Sequence, residues 1–195
     1  MPPIQIHAAH TADLLAAARV LFAEYAASLP ESAQRSLRHQ GFDAELATLP
    51  GKYAHPGGII LLAADTQVTT PPPSTWLGVV AMRPLALSGV LPGDPSPICE
   101  MKRLYVRPAA RGLGAGRALC EALLTAAAAA RYRMMKLDTE ADFAPAMALY
   151  RALGFTEIPR YNDDPEACTV WMGKHLNAAA HSHRPPEPPQ GHQGV

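Results

Sequence analysis

The densest chemical signal in the chain is the run Cys99-Glu100-Met101-Lys102-Arg103-Leu104-Tyr105-Val106-Arg107-Pro108-Ala109-Ala110-Arg111-Gly112-Leu113-Gly114-Ala115-Gly116-Arg117-Ala118-Leu119. It reads as a strand, a turn with three glycines in five residues, and a strong helix start. A helix N-terminus presents unpaired backbone N–H groups and a partial positive charge, and together these attract phosphate oxygens. Glycine adds close approach, because no Cβ intervenes. The residues therefore predict a phosphate or pyrophosphate cradle from Arg111 to Arg117. Two better-known glycine loops are excluded by spacing. A Walker loop requires GxxxxGK[ST], and no lysine follows these glycines. A dinucleotide fingerprint requires GxGxxG, and position 117 is arginine. A tight turn that needs glycine only for its geometry would use the same residues, so the cluster by itself leaves both readings open.

The elements that position this run follow from periodicity. Ile4 to Ala8 reads as a first strand. From Asp13, the apolar residues Leu14, Leu15, Ala18, Leu21, Phe22, Tyr25 and Ala26 recur on one helical stripe that Pro30 ends. Residues 31–49 read as a shorter, weaker helical region around Phe42, Leu46 and Leu49. Gly58 to Ala64 and Trp76 to Met82 are strand candidates, joined by a loop whose three consecutive prolines exclude a central strand. Pro84 to Pro97 is a second loop, and Ile98 to Val106 a strand closed by Pro108. Arg117 to Ala130 is a helix with Leu119, Cys120, Leu123, Leu124 and Ala127 on its apolar face. Met134 to Leu137 reads as a brief strand. Pro145 opens a helix through Leu153 that Gly154 caps. Phe155 to Ile158 and Cys168 to Met172 read as closing strands. Interleaved strands and helices predict an α/β fold with a mixed sheet covered by helices. One domain over residues 4–176 is expected, with 177–195 a disordered Pro/His-rich tail.

Composition narrows the function classes. Of 195 residues, 48% are apolar and 17% charged, which supports a packed core and excludes whole-chain disorder. Seventeen basic and seventeen acidic residues cancel, so no global charge draws the chain to nucleic acid or an anionic membrane. Cys99, Cys120 and Cys168 have no CxxC spacing, which fits free thiols in a reducing compartment rather than a disulfide framework or zinc site. No basic and apolar leader opens the chain, and no stretch approaches eighteen uninterrupted apolar residues. The expectation is a cytoplasmic protein. His181, His183 and His192 fall in the expected tail, so no metal is assigned. No GxSxG supports a serine hydrolase.

Arg111-Gly112-Leu113-Gly114-Ala115-Gly116, after a strand and opening a helix, resembles the acetyl-CoA signature [QR]-x-x-G-x-[GA] of the GNAT family of N-acetyltransferases. Downstream, Ala146 to Phe155 resembles that family's A-x-x-L-Y-x-x-x-G-F segment. The resemblance covers nearly the whole chain except the tail. It implies a GNAT-like mixed, mostly antiparallel central sheet flanked by helices, with two central parallel strands that splay to admit acetyl-CoA as co-substrate. It also implies that backbone amides of Arg111, Gly112, Leu113, Gly114, Ala115, Gly116 and Arg117 hold the CoA pyrophosphate. The main chain of Leu104, Tyr105 and Val106 would pair with the pantetheine arm, and Tyr150 would protonate the departing thiolate. Phe143 departs from the asparagine that many members carry seven residues before that tyrosine.

The implied activity is acetyl transfer to a primary amine, of a small molecule or an amino acid, by direct attack in a ternary complex. A peptide or protein amine, or a non-catalytic acyl-CoA-binding module, are the alternatives. An alkylammonium has a pKa of about 10, so something must take its proton. Glu100 is the candidate base, on the strand leading into the cradle, eleven residues before Arg111, an offset that resembles the one used by the family's histone-acetylating branch. Strict alternation also places Glu100 and Lys102 on one face, where they would pair as neighbours. Arg83 and Arg103 are candidates for a substrate carboxylate, with a structural ion pair the favoured reading. In the segment from Tyr161 to Glu166, a solvated turn is favoured over an amine-attracting loop. The oligomeric state is not readable, and the family's frequent dimers leave a homodimer open.

Overall fold

The computed structural model describes residues 4–65, 75–85, 97–164 and 169–176. β1 (Ile4–Ala8) leads into α1 (Ala12–Ser28), whose start is capped by the Thr11 side chain accepting from the Leu14 amide at 3.4 Å. The weak helical region is two helices, α2 (Glu31–His39) and α3 (Phe42–Ala47). Gly41 separates them in the left-handed conformation, φ +73°, which a side chain rarely adopts. A 3-10 turn (Gly51–Tyr53) precedes β2 (Ile59–Asp65), β3 (Gly78–Pro84) and β4 (Ile98–Val106). A second 3-10 turn (Pro108–Ala110) leads to α4 (Ala115–Ala129), which begins two residues before the predicted Arg117. β5 (Met134–Glu140), α5 (Ala144–Ala152), β6 (Thr156–Glu157) and β7 (Thr169–His175) complete the order. The expected proline loop, most of the loop after Pro84, Cys168 and the tail lie outside the described residues.

The seven strands form one sheet in the order β1-β2-β3-β4-β5-β7-β6. Among the described strands only β4 and β5 run parallel, and every other pair is antiparallel. The mixed, mostly antiparallel sheet flanked by helices is thus as expected. One face carries Ile60 and Leu62 against Leu21 and Phe22 of α1 and Tyr53. The other carries Leu61, Val80, Met82 and Met101 against Leu119, Cys120 and Leu123 of α4. Burying apolar side chains on both faces is what makes one sheet the centre of the domain.

Two irregularities in β4 matter for function. Its pairing with β3 slips by one residue between Ala81↔Lys102 and Val79↔Tyr105, so Arg103 and Leu104 together oppose Val80. This is a β-bulge, and Arg103 within it has a positive φ of 61°. The slip puts Glu100, Lys102 and Tyr105 on one face, an arrangement simple alternation cannot produce. The second irregularity is the short ladder to β5. Only Ile98, Cys99 and Glu100 pair with it, opposite Met134, Met135 and Lys136, although both strands continue beyond.

Candidate active site

Where β4 and β5 stop pairing, a cavity of about 130 Å³ opens between them. Met101 to Leu104 line one side and Leu137 to Glu140 the other. Tyr25 of α1, three residues of α2 with its C-cap Gln40, Phe143, Ala146 and Tyr150 close it further. Past the end of the ladder, Tyr105 and Val106 pair with Val79 and Gly78 of β3, and no residue of β5 pairs with Leu104, Tyr105 or Val106. An added extended chain can pair with a strand edge of this kind.

β4 runs on into the glycine turn. Gly112 (φ +77°) and Gly114 (φ +87°) are both left-handed, and Gly114 is the N-cap of α4 with no side-chain cap. The amides of Arg111 and Leu113 donate to Pro108 (3.2 Å) and Ala110 (3.4 Å) carbonyls within the turn. The Ala118 amide is the first to donate back to Gly114, at 3.0 Å, so Ala115, Gly116 and Arg117 supply the N–H groups that a helix start leaves without an intrahelical acceptor. A Cβ built at Gly116 would lie 3.5 Å from both Val106 and Leu149, so the helix start is wedged between the end of β4 and α5. The seven predicted cradle residues therefore form one turn beside the free strand edge.

Tyr150 lines the cavity, and its ring packs edge-on against Phe155 at 5.9 Å. Burial, with the Cys120, Tyr25 and Asp138 groups nearby, pushes its phenol well above the usual value, so it stays protonated. Phe143 lines the cavity too, with no polar group to replace the asparagine.

Glu100 is only 1% exposed and is not among the cavity-lining residues. Its Oε2 accepts from Arg83 Nε at 2.7 Å, and its Oε1 accepts from the Tyr161 hydroxyl at 2.9 Å. Lys102 Nζ lies 3.5 Å from Oε1, so the neighbour pairing expected from alternation is present. Arg83 and Arg103 also adopt the favoured structural role. Arg103 forks onto Glu45 through Nε (2.8 Å) and a terminal nitrogen (2.9 Å).

Most of this polar layer has no signal in the local sequence. Lys102 donates to Asp138 at 2.7 Å, and Asn162 donates to the other Asp138 oxygen at 3.0 Å. Burial opposes ionisation of Asp138, yet the Lys102 charge and these hydrogen bonds hold its carboxyl below the ordinary value. The alternation of Met135 and Leu137 with the polar Lys136, Asp138 and Glu140 is the available signal, and β5 is longer than the expected Met134 to Leu137. Within Tyr161 to Asp164 the solvated-turn expectation is corrected in part, while Pro165 and Glu166 lie outside the described residues. Asp163 is exposed, but Asp164 is 5% exposed and accepts from Ser36. Glu45 carried no sequence signal, since Arg103 is 58 residues away. Cys99 and Cys120 are buried free thiols pushed up to about 12 by burial, which leaves them unreactive. Among the described residues no group of metal ligands and no helix long and apolar enough to cross a membrane occurs.

The family model described as "Acetyltransferase (GNAT) family" matches residues 26–155. The chain belongs to the GNAT acetyltransferase family. An uncharacterized N-acetyltransferase of Schizosaccharomyces pombe is 38% identical over 136 residues, covering 70% of this chain and 75% of that protein. Among solved structures, Arabidopsis thaliana NAA60 in complex with acetyl-CoA superposes with a TM-score of 0.61 at 14% identity, over 89% of this chain and 99% of that one. The ribosomal-protein-S18-alanine N-acetyltransferase from Escherichia coli gives 0.59 at 18%, over 92% and 98%. These structural likenesses concern the GNAT fold, and the family supports acyltransferase activity with acyl-CoA as donor.

Proposed function

We propose that residues 4–176 form an acetyl-CoA-dependent N-acetyltransferase that acetylates a primary amine of a small molecule or amino acid by direct attack in a ternary complex. One observation carries the reading: the unpaired edge of β4 lies between a cavity and an uncapped, glycine-lined helix start. Amides of the Arg111–Arg117 turn, chiefly those at the start of α4, hold the diphosphate of the donor. The main chain of Leu104, Tyr105 and Val106 pairs with its extended arm. Tyr150, kept protonated by its surroundings, gives its proton to the departing thiolate.

The proton of the acceptor ammonium goes to Glu100. Because Glu100 does not line the cavity, the transfer runs by exchange through Lys102, which lines the cavity and sits 3.5 Å from the carboxylate: its ammonium gives one proton to Glu100 and takes the acceptor's proton in its place, so Lys102 ends with the charge it began with. A second reading, an acyl-CoA-binding module without turnover, draws on the same burial of Glu100 among Arg83, Tyr161 and Lys102.

Thiol release from acetyl-CoA across a panel of amines, compared between wild type, Glu100→Gln and Tyr150→Phe, separates these. Turnover by wild type that falls in both variants supports the mechanism. Binding without turnover on any amine favours the second reading, and equal turnover in all three proteins removes both residue roles.

A further inference from the structure

The main chain of β4 changes sides at Arg103. The Leu85 amide donates to the Ile98 carbonyl at 2.9 Å, so Ile98, and by alternation Glu100 and Lys102, turn their main-chain groups toward β3. Beyond the bulge the Arg107 amide donates to Leu77 at 2.9 Å. Arg107 and Tyr105 therefore face β3, while Leu104 and Val106 face the gap beside β5. The Val106 carbonyl accepts from Arg111 Nε at 3.4 Å, in keeping with that direction. A strand without the extra residue would turn Leu104 and Val106 to β3 and Tyr105 to the gap. The bulge thus decides which main-chain groups line the place where the donor's arm would lie.

One class of β-bulge seats a left-handed glycine at its first position. Here that residue is Arg103, φ +61°, a conformation that side-chain-bearing residues seldom adopt. Its side chain is gripped from several directions and is almost fully buried. Nε and one terminal nitrogen donate to the two Glu45 oxygens at 2.8 and 2.9 Å, and the other terminal nitrogen donates to Gln40 Oε1 at 3.1 Å. The guanidinium also lies over the Phe42 ring, 5.4 Å from its centre. Glu45 is fixed in turn by the Tyr53 hydroxyl, at 2.9 Å, and by Lys52. We infer that Arg103, gripped by Glu45 and Gln40, is the positioning residue that holds β4 in its bulged register and so turns Leu104 and Val106 toward the donor. This inference rests on the acetyltransferase reading above and names what shapes its donor-binding edge. Arg103 itself takes no part in the chemistry.

The test removes the grip and asks whether glycine replaces it. Arg103→Ala with Glu45→Gln, and Arg103→Gly with Glu45→Gln, both lack the ion pair and strand no carboxylate. Only glycine takes the left-handed backbone unaided. The alanine double variant is expected to lose CoA affinity by about tenfold or more, and the glycine double variant to stay within about threefold of wild type. Both keep their affinity for ADP, which has a diphosphate and no arm, within about twofold. The glycine double variant also melts above the alanine one, the reverse of the order in an ordinary strand. Arg103→Lys keeps a charge beside Glu45 but not the fork, and it carries the test if the double variants do not fold. Its CoA affinity is expected to fall by about threefold or more with ADP unchanged. Equal CoA affinity in the two double variants overturns the inference, as does a loss of ADP binding that parallels the loss of CoA. Wild-type CoA affinity in Arg103→Lys, or a glycine double variant that melts below the alanine one, also overturns it. Each of these results leaves the acetyltransferase reading standing, whereas wild type that binds no CoA removes that reading and the inference with it.

Discussion

Lys102 Nζ donates to Asp138 Oδ1 at 2.7 Å, and the two residues stand on β4 and β5 two positions beyond the last backbone pair, Glu100↔Lys136. A side-chain ion pair thus takes over where the hydrogen-bond ladder ends, and it sets how far the strands part. Both side chains are under 10% exposed, so each needs the other. Asp138→Asn or Lys102→Met alone is expected to cost about 3–5 kcal/mol, because it strands a buried charge. Lys102→Met combined with Asp138→Leu is expected to recover much of that stability and to lose activity. Denaturant unfolding of the three variants measures the first effect and thiol release the second.

Acid stability is expected to depend on Glu45. Burial raises this carboxyl, but the Arg103 hydrogen bonds and charge, with Lys52 behind them, outweigh it and hold the pKa at about 2 against an ordinary 4.5. A depressed folded pKa contributes stability that is fully present above the unfolded value and is lost as pH falls through the folded one. The window is therefore from about pH 4.5 down to about pH 2. The contribution is about 3 kcal/mol at neutral pH. Glu45→Gln should destabilise by about that much at pH 7 and far less at pH 2, which urea titrations at the two pH values will read.

Tyr150→Phe removes one hydroxyl from a side chain whose packing against Phe155 is otherwise kept. The expected result is a fall in kcat of about a hundredfold with little change in KM for acetyl-CoA, since the phenol acts on the departing thiolate and not on donor binding. A rise in KM with unchanged kcat would assign Tyr150 to packing alone.

Two glycines should behave in opposite ways. A Cβ at Gly112 meets nothing within 4 Å, so Gly112→Ala carries the cost of a left-handed backbone, roughly 1–2 kcal/mol, and places a methyl group in the cradle. It is expected to raise KM for acetyl-CoA by about tenfold with a small change in Tm. A Cβ at Gly78 falls 2.4 Å from the Tyr105 carbonyl oxygen, so Gly78→Ala should lower Tm by displacing β3 from β4. Thermal melts alongside acetyl-CoA titrations distinguish the two.

Much of this fold is legible in the sequence because its elements have strong periodic or punctuating residues. The α1 stripe from Leu14 to Ala26, β4 between Pro97 and Pro108, and the α5 start at Pro145 all appear where local chemistry dictates. The glycine turn and the start of α4 are legible for the same reason: their residues are contiguous. What could not be read depends on contacts between distant segments. The bulge at Arg103 is set by β3 and by Glu45, and no local residue announces it. The same holds for the burial of Glu100, whose partners Arg83 and Tyr161 are 17 and 61 residues away. Asp164 looks like a turn residue because its partner Ser36 is 128 residues distant.

Calorimetric titration with acetyl-CoA, paired with a thermal melt, tests the central claim most directly. Saturable one-to-one binding is predicted, and at a hundredfold excess over Kd the folded state gains about 2.7 kcal/mol, which raises Tm by roughly 5–10 °C for a domain of this size. No heat and no shift in Tm would contradict it, because the turn at Gly112 and Gly114 would then hold no diphosphate.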